Sequence, residues 1–158
     1  MTKQSTDRRW ILKTLEETIA LGEAMNKELP DLKLLLLKGP LGAGKTTLVK
    51  GIAKSLGIEE PITSPTFSLA QHYLQGTPPL IHLDLFRLEE PNAANELFLQ
   101  EEEEANSLGA LIVVEWPERL RLDFPEAWLL RLDHLPNNQR SAHLLRATRE
   151  AINSSTWD

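Results

Sequence analysis

Residues Gly39-Pro40-Leu41-Gly42-Ala43-Gly44-Lys45-Thr46 follow the spacing Gly-x-x-x-x-Gly-Lys-Ser/Thr without exception. No other stretch of the chain constrains its fold so tightly. Glycine at positions 39, 42 and 44 lets the backbone adopt conformations that a Cβ would obstruct, so successive N–H groups can point into one concavity. A helix starting near Lys45 adds its unpaired first-turn amides and its dipole to the same anion site. In such a turn the lysine reaches the β- and γ-phosphates and the following hydroxyl ligates Mg²⁺, which assigns those roles to Lys45 and Thr46. From average residue frequencies, the pattern arises by chance in about one of a couple of hundred unrelated chains of this length.

The flanking sequence supplies the context the motif requires. Leu34-Leu35-Leu36-Leu37 is a short continuous apolar run, as expected of a strand buried on both faces. After the turn, Leu48, Ile52 and Leu56 recur four apart with Val49 and Ala53 beside them, which predicts a helix over 46–56 ended by Gly57. Upstream, the apolar residues between Thr6 and Leu29 fall near helical spacing and predict one amphipathic helix stopped by Pro30. Downstream, strands are expected over 67–74, 80–85, 108–114, 127–132 and 143–147, with turns at 76–79 and 136–139 and an acidic helix over 91–104. The pattern specifies an α/β fold: a three-layer arrangement of the P-loop NTPase type, with a mixed, largely parallel central sheet flanked by helices. At roughly 100 to 200 residues per domain, the 158 residues form one domain, 1–158.

Composition narrows the function. Seventeen Lys and Arg against 23 Asp and Glu leave a net charge of −6, which disfavours a protein that coats DNA or RNA. The absence of cysteine removes disulfides, cysteine-ligated zinc and thiol nucleophiles. No apolar stretch approaches the ~20 residues of a membrane helix, and residues 1–13 lack a signal-peptide pattern, so a soluble cytoplasmic protein is expected.

A phosphate turn of this kind works with a carboxylate at the end of a neighbouring strand. Asp84, after Ile81-His82-Leu83, and Glu115, after Leu111-Ile112-Val113-Val114, both qualify, and the run before Glu115 has the better shape. Thr63-Ser64-Pro65-Thr66 occupies the place where switch segments sense a γ-phosphate, although a Pro-stiffened turn explains it equally well. Trp116 offers a flat face to a base or a partner, or fills a core position. His72, His82, His134 and His143 show no metal-ligand spacing. His82, two residues from Asp84, suits an orienting hydrogen bond. Glu101 to Glu104 read as a solvated helix face, and Arg87 as a structural ion-pair partner more than a catalytic cation.

Gly-Pro-Leu-Gly-Ala-Gly-Lys-Thr-Thr, Thr-Ser-Pro-Thr-Phe, His-Leu-Asp-Leu-Phe-Arg-Leu and Val-Glu-Trp-Pro-Glu, in this order and spacing, resemble the TsaE (YjeE) family. That family is the small bacterial ATPase of tRNA threonylcarbamoyladenosine synthesis. The likeness extends over nearly the whole chain, is most specific over residues 39–120, and thins past Pro125. It implies Mg²⁺-dependent ATP hydrolysis and association with the TsaD and TsaB proteins. These place a threonylcarbamoyl group on adenosine 37 of tRNAs reading codons that begin with A. The family's member does not perform that transfer and meets tRNA only indirectly. The resemblance assigns nucleotide binding to Gly39, Leu41, Gly42, Ala43, Gly44, Lys45, Thr46, Thr47, Trp116 and Glu118. It places the metal beside Thr46, Glu115 and Asp84, and catalysis with Lys45, Asp84, Glu115 and the switch threonine Thr66. Phe86 stands where the family usually has tyrosine. Two other activities suit the same fold: a small-molecule kinase, and a nucleotide-dependent binding module that does not hydrolyse.

Overall fold

The computed structural model describes residues 7–64 and 69–154. Its elements are β1 (Arg8–Leu12), α1 (Leu15–Glu28), β2 (Leu34–Lys38), α2 (Lys45–Ser55), β3 (Ala70–Tyr73), β4 (Leu80–Asp84), α3 (Pro91–Leu108), β5 (Leu111–Glu115), β6 (Trp128–Leu135), β7 (Gln139–Arg146) and α4 (Arg149–Asn153). The strands form one mixed sheet in the order β1-β7-β6-β2-β5-β4-β3. β6, β2, β5 and β4 run parallel in the middle, and antiparallel pairs close both sides. The leucine run is the centre of that sheet: Leu35, Leu36 and Leu37 are fully buried. Leu35 and Leu37 face the layer of α1 and α2, with Met25, Leu48 and Ile52. Leu36 faces the opposite layer, where Phe98 of α3 and Ile152 of α4 pack with Ile81 and Val114. Burying one such leucine contributes about 1.5–3 kcal/mol, which explains why a continuous run occupies this strand. The expected three-layer architecture is the one observed.

The helix expected from Thr6 begins only at Leu15. Thr14 caps it, its side chain accepting from Glu17 N–H at 3.1 Å, while Glu17 accepts from Lys13 N–H at 3.3 Å. Arg8–Leu12 instead form an edge strand on β7. Its alternation, with Trp10 and Leu12 turned inward and Ile11 exposed, merges with helical spacing when only the inward residues are counted. Three other boundaries differ from expectation. Leu108 closes α3, and Gly109 at φ 65° reverses the chain before β5. β6 and β7 are eight residues each, because their pairing continues to Leu135↔Gln139. The short helix α4 carries no periodic signal of its own. Phe67, expected in the first strand of the β3–β4 hairpin, lies outside the described residues.

Helices α1 and α2 touch through glycine. A Cβ on Gly22 would stand 2.2 Å from the Leu48 carbonyl oxygen, and one on Gly51 would stand 2.1 Å from that of Ile19. The close crossing sets α2, and with it the turn at its N-terminus, directly against α1.

Candidate nucleotide-binding site

The turn joining β2 to α2 sits at the carboxyl end of the parallel strands, where open α/β sheets place their ligands. Gly42 and Gly44 have φ of 78° and 104°, a region that L-residues with a Cβ seldom adopt. Gly39 is required for a different reason: a Cβ there would meet the Leu132 carbonyl of β6 at 2.4 Å. Gly44 is the N-cap of α2 and provides no side-chain cap. Intrahelical bonding begins with Leu48 N–H to Gly44 O at 2.9 Å, so the amides of Lys45, Thr46 and Thr47 precede it.

Lys45 is 6% exposed. Its ammonium donates to the carbonyls of Gly39 and Pro40 and lies 4.3 Å from the centroid of the Trp116 ring. Burial holds its pKa below the ordinary lysine range, while the charges of Glu115, Glu118 and Asp84 pull it back up. The turn and the ends of β4 and β5 enclose a cavity of about 360 Å³, within the usual range for small-molecule sites. Leu41, Gly42, Gly44, Lys45, Thr46 and Thr47 line one side, and Ser64, Leu69, Asp84, Phe86, Arg87, Glu115 and Trp116 the other.

Asp84 and Glu115 are register partners on adjacent parallel strands and point to the α2 side of the sheet. Their surroundings differ. Glu115 is 3% exposed, and its Oε2 lies 3.5 Å from Thr46 Oγ1 and 2.7 Å from His82 Nε2. Asp84 accepts Phe86 N–H at 3.0 Å on one oxygen and Ser64 Oγ–H at 2.9 Å on the other. Among the described residues, no three His, Asp or Glu side chains gather into a self-sufficient metal cluster. A hydroxyl and one nearby carboxylate form the sparse oxygen set that suits Mg²⁺, an ion commonly held by one or two carboxylates together with substrate phosphates.

Trp116 adopts φ 63°, unusual for a bulky residue, and tilts against Phe86 at 4.7 Å between ring centroids. Arg119 fastens this corner by donating to the Phe86 carbonyl at 2.9 Å. From the other side the β6–β7 hairpin reaches the turn: His134 contacts the Leu41 carbonyl and Arg140 the Gly42 carbonyl, each at 3.3 Å. Behind the turn, Lys38 donates to the carbonyls of Ile152 and, at 2.7 Å, Ser154, so the end of β2 is tied to α4.

The family model for the threonylcarbamoyl adenosine biosynthesis protein TsaE matches residues 12–143. This chain belongs to the TsaE family. Among TsaE relatives, each a tRNA threonylcarbamoyladenosine biosynthesis protein, that of Nostoc sp. PCC 7120 is 45% identical over 106 residues. The match covers 66% of this chain and 65% of the Nostoc protein, just under two thirds of that relative's length. The TsaE of Mycobacterium tuberculosis H37Rv is 42% identical over 119 residues, covering 69% of this chain and 68% of its own. That of Aquifex aeolicus is 36% identical over 138 residues, covering 86% and 94%. A crystal structure of Bacillus subtilis YdiB superposes with a TM-score of 0.68 at 26% identity, covering 96% of this chain and 94% of that one.

Of the residues that the TsaE motifs single out, the fold gathers Leu41, Gly42, Gly44, Lys45, Thr46, Thr47, Asp84, Glu115 and Trp116 around one cavity. Gly39 and Ala43 are buried in the turn and do not line it, nor does Glu118, which sits beyond Trp116. Thr66 lies outside the described residues, but its neighbour Ser64 holds Asp84. His82, expected as an orienting partner beside Asp84, is bonded to Glu115 instead. Glu101, expected on a solvated face, bonds His72 at 2.6 Å. The hairpin residue His134 was not anticipated at the site. Its only sequence signal is its place before the turn at 136–139, which by itself gives no direction. Among the described residues, no helix is long and apolar enough to cross a membrane.

Proposed function

We propose that this chain is a Mg²⁺-dependent ATPase that supports threonylcarbamoylation of adenosine 37 in tRNAs reading A-starting codons, through nucleotide-coupled association with a TsaD–TsaB complex. The observation that carries the reading is the convergence of Lys45, Thr46 and Glu115 at the N-terminus of α2. In this reading the amides of the turn and of Lys45, Thr46 and Thr47 receive phosphate oxygens. Lys45 exchanges its carbonyl partners at Gly39 and Pro40 for the β- and γ-phosphates. Trp116 backs the lysine and limits its approach to one side. Thr46 and Glu115 hold Mg²⁺, whose chemistry is to neutralise charge on the phosphates. Glu115 is the carboxylate beside Thr46, 3.5 Å from its hydroxyl, whereas both oxygens of Asp84 accept hydrogen bonds. Asp84, tied to Ser64, orients the attacking water in this reading, and the TsaE motif gives Thr66 a share in that role. Burial of Lys45 and Glu115 under low local dielectric strengthens each of these contacts. The net charge of −6 agrees with protein partners that handle the tRNA while this chain turns over nucleotide.

The reading is tested by ATP hydrolysis with TsaD and TsaB present. Lys45→Ala is expected to reduce turnover by about 10²-fold or more, as loss of a charge-stabilising donor does. Co-purification with TsaD and TsaB is expected to depend on nucleotide. Equal hydrolysis by Lys45→Ala refutes the catalytic assignment, and nucleotide-independent or absent association refutes the coupling. Accumulation of a phosphorylated metabolite identifies a kinase instead.

A further inference from the structure

His82 is fully buried in β4, two strands away from the sheet's central strand β2, with Gln71 of β3 as its register partner on one side. Leu80 precedes it on the same face, and Val113 is its register partner on β5. Burying an imidazole and a carboxylate side by side at such a position is unfavourable compared with two well-packed aliphatic residues. Stability therefore does not account for the pair.

The geometry is specific. In the parallel register His82 lies opposite Val113, and Glu115 is two residues further along β5 on the same face. The contact is thus diagonal, from His82 Nε2 to Glu115 Oε2 at 2.7 Å. A carboxylate offers only lone pairs, so Nε2 is the donor and carries the proton. Nδ1 is buried and has no hydrogen-bond partner among the described residues. The same Oε2 faces the Thr46 hydroxyl at 3.5 Å. Both contacts fall on one oxygen, which leaves lone pairs of the other to a cation beside Thr46. Asp84, though nearer in sequence, is held by Ser64 and Phe86.

We infer that His82 is a positioning residue that fixes the Glu115 carboxylate through Nε2–H, setting the affinity for Mg²⁺ bound with nucleotide and leaving affinity for the nucleotide alone untouched. The inference rests on the proposed reading of Glu115 as the metal-side acid. Hydrogen-bond partners behind a metal-binding side chain commonly set 10–100-fold in metal affinity or activity.

Two amide substitutions separate the ring nitrogens. The amide nitrogen of glutamine reaches as far from Cβ as Nε2, and that of asparagine only as far as Nδ1. Affinity for a fluorescent N-methylanthraniloyl-ATP is measured for each protein in excess Mg²⁺ and in EDTA, and the ratio gives the Mg²⁺ enhancement. His82→Asn is expected to lower the enhancement by about 10-fold or more while retaining the wild-type affinity in EDTA. His82→Gln is expected to retain most of the enhancement. An unchanged enhancement in His82→Asn, or an equal loss in both variants, overturns the positioning role. So does a parallel loss of affinity in EDTA, which marks a purely structural histidine. A wild-type protein with no Mg²⁺ enhancement refutes the metal reading of Glu115 itself, a result distinct from these. A measurement without substitution complements them. Nitrogen-15 NMR of the histidine-labelled wild type is expected to show His82 protonated at Nε2, and protonation at Nδ1 alone overturns the inference.

Discussion

Substituting Gly51 by alanine sets two effects of known size against each other. In an isolated helix the change is favourable by about 1 kcal/mol, because alanine loses less backbone entropy. Here the new methyl would lie 2.1 Å from the Ile19 carbonyl oxygen, about 1.3 Å inside the closest ordinary contact, and 3.0 Å from the Gly22 Cα. The obstacles are backbone atoms, so no side chain can swing aside, and α1 and α2 must separate. Overpacking of this kind costs about 1–3 kcal/mol, and a backbone obstacle places this site at the upper end. The net expectation is destabilisation by about 1–2 kcal/mol. At about 2–4 °C per kcal/mol for a chain of this size, Tm falls by roughly 2–8 °C. Thermal unfolding followed by circular dichroism measures it, with exposed Lys50→Ala on the same helix as the control, expected within about ±0.5 kcal/mol of wild type. A Gly51→Ala protein as stable as wild type, or more so, refutes the close crossing. Because α2 starts at the glycine turn of the proposed nucleotide site, the variant should also bind nucleotide more weakly.

Two further outcomes follow from the site. Burial lowers the Lys45 pKa, so at pH values just below the ordinary lysine range the unfolded chain holds a proton that the folded chain sheds. The stability of wild type relative to Lys45→Met should therefore rise with pH through that window, read as the shift in urea midpoint between neutral and alkaline buffer; a constant or falling difference contradicts the assignment. The hairpin contacts predict a functional effect with little structural cost. His134→Ala/Arg140→Ala should change stability by less than about 0.5 kcal/mol. Loss of two hydrogen bonds to the turn should weaken fluorescent nucleotide binding by about 3–10-fold, and unchanged affinity would show that the turn holds its shape unaided.

What the sequence made legible was local. The leucine run, the glycine spacing and the four-apart apolar residues of α2 lie within 23 consecutive positions and specify strand, turn and helix together. The acids were legible too, since Asp84 and Glu115 each close an apolar run. Arg8–Leu12 was misread because its partner strand lies more than 120 residues downstream, and an edge strand of five residues carries too little pattern to declare itself. His82 illustrates the same limit at the site. Counting along the chain points it to Asp84, whereas the register of β4 on β5 decides in favour of Glu115. His134 and Arg140 come to the turn through the β6–β7 pairing, which no spacing near residue 42 encodes. Expectation failed where a contact depends on how two distant strands are aligned.

The position of β2 has a consequence for how the chain is made. This strand leaves the ribosome before both of its neighbours, and Leu36 must wait for Val114 on one side and Leu129 on the other, about 80 to 90 residues later. Until both arrive, a nascent chain displays four consecutive leucines and a glycine turn without walls. Contacts of such long sequence separation slow folding, because loop closure must come before they reward it. Assembly of the sheet's centre therefore waits until β6 has been made. A ligand of the turn can recognise only the finished protein, so it stabilises the completed fold by mass action and gives no help to its intermediates.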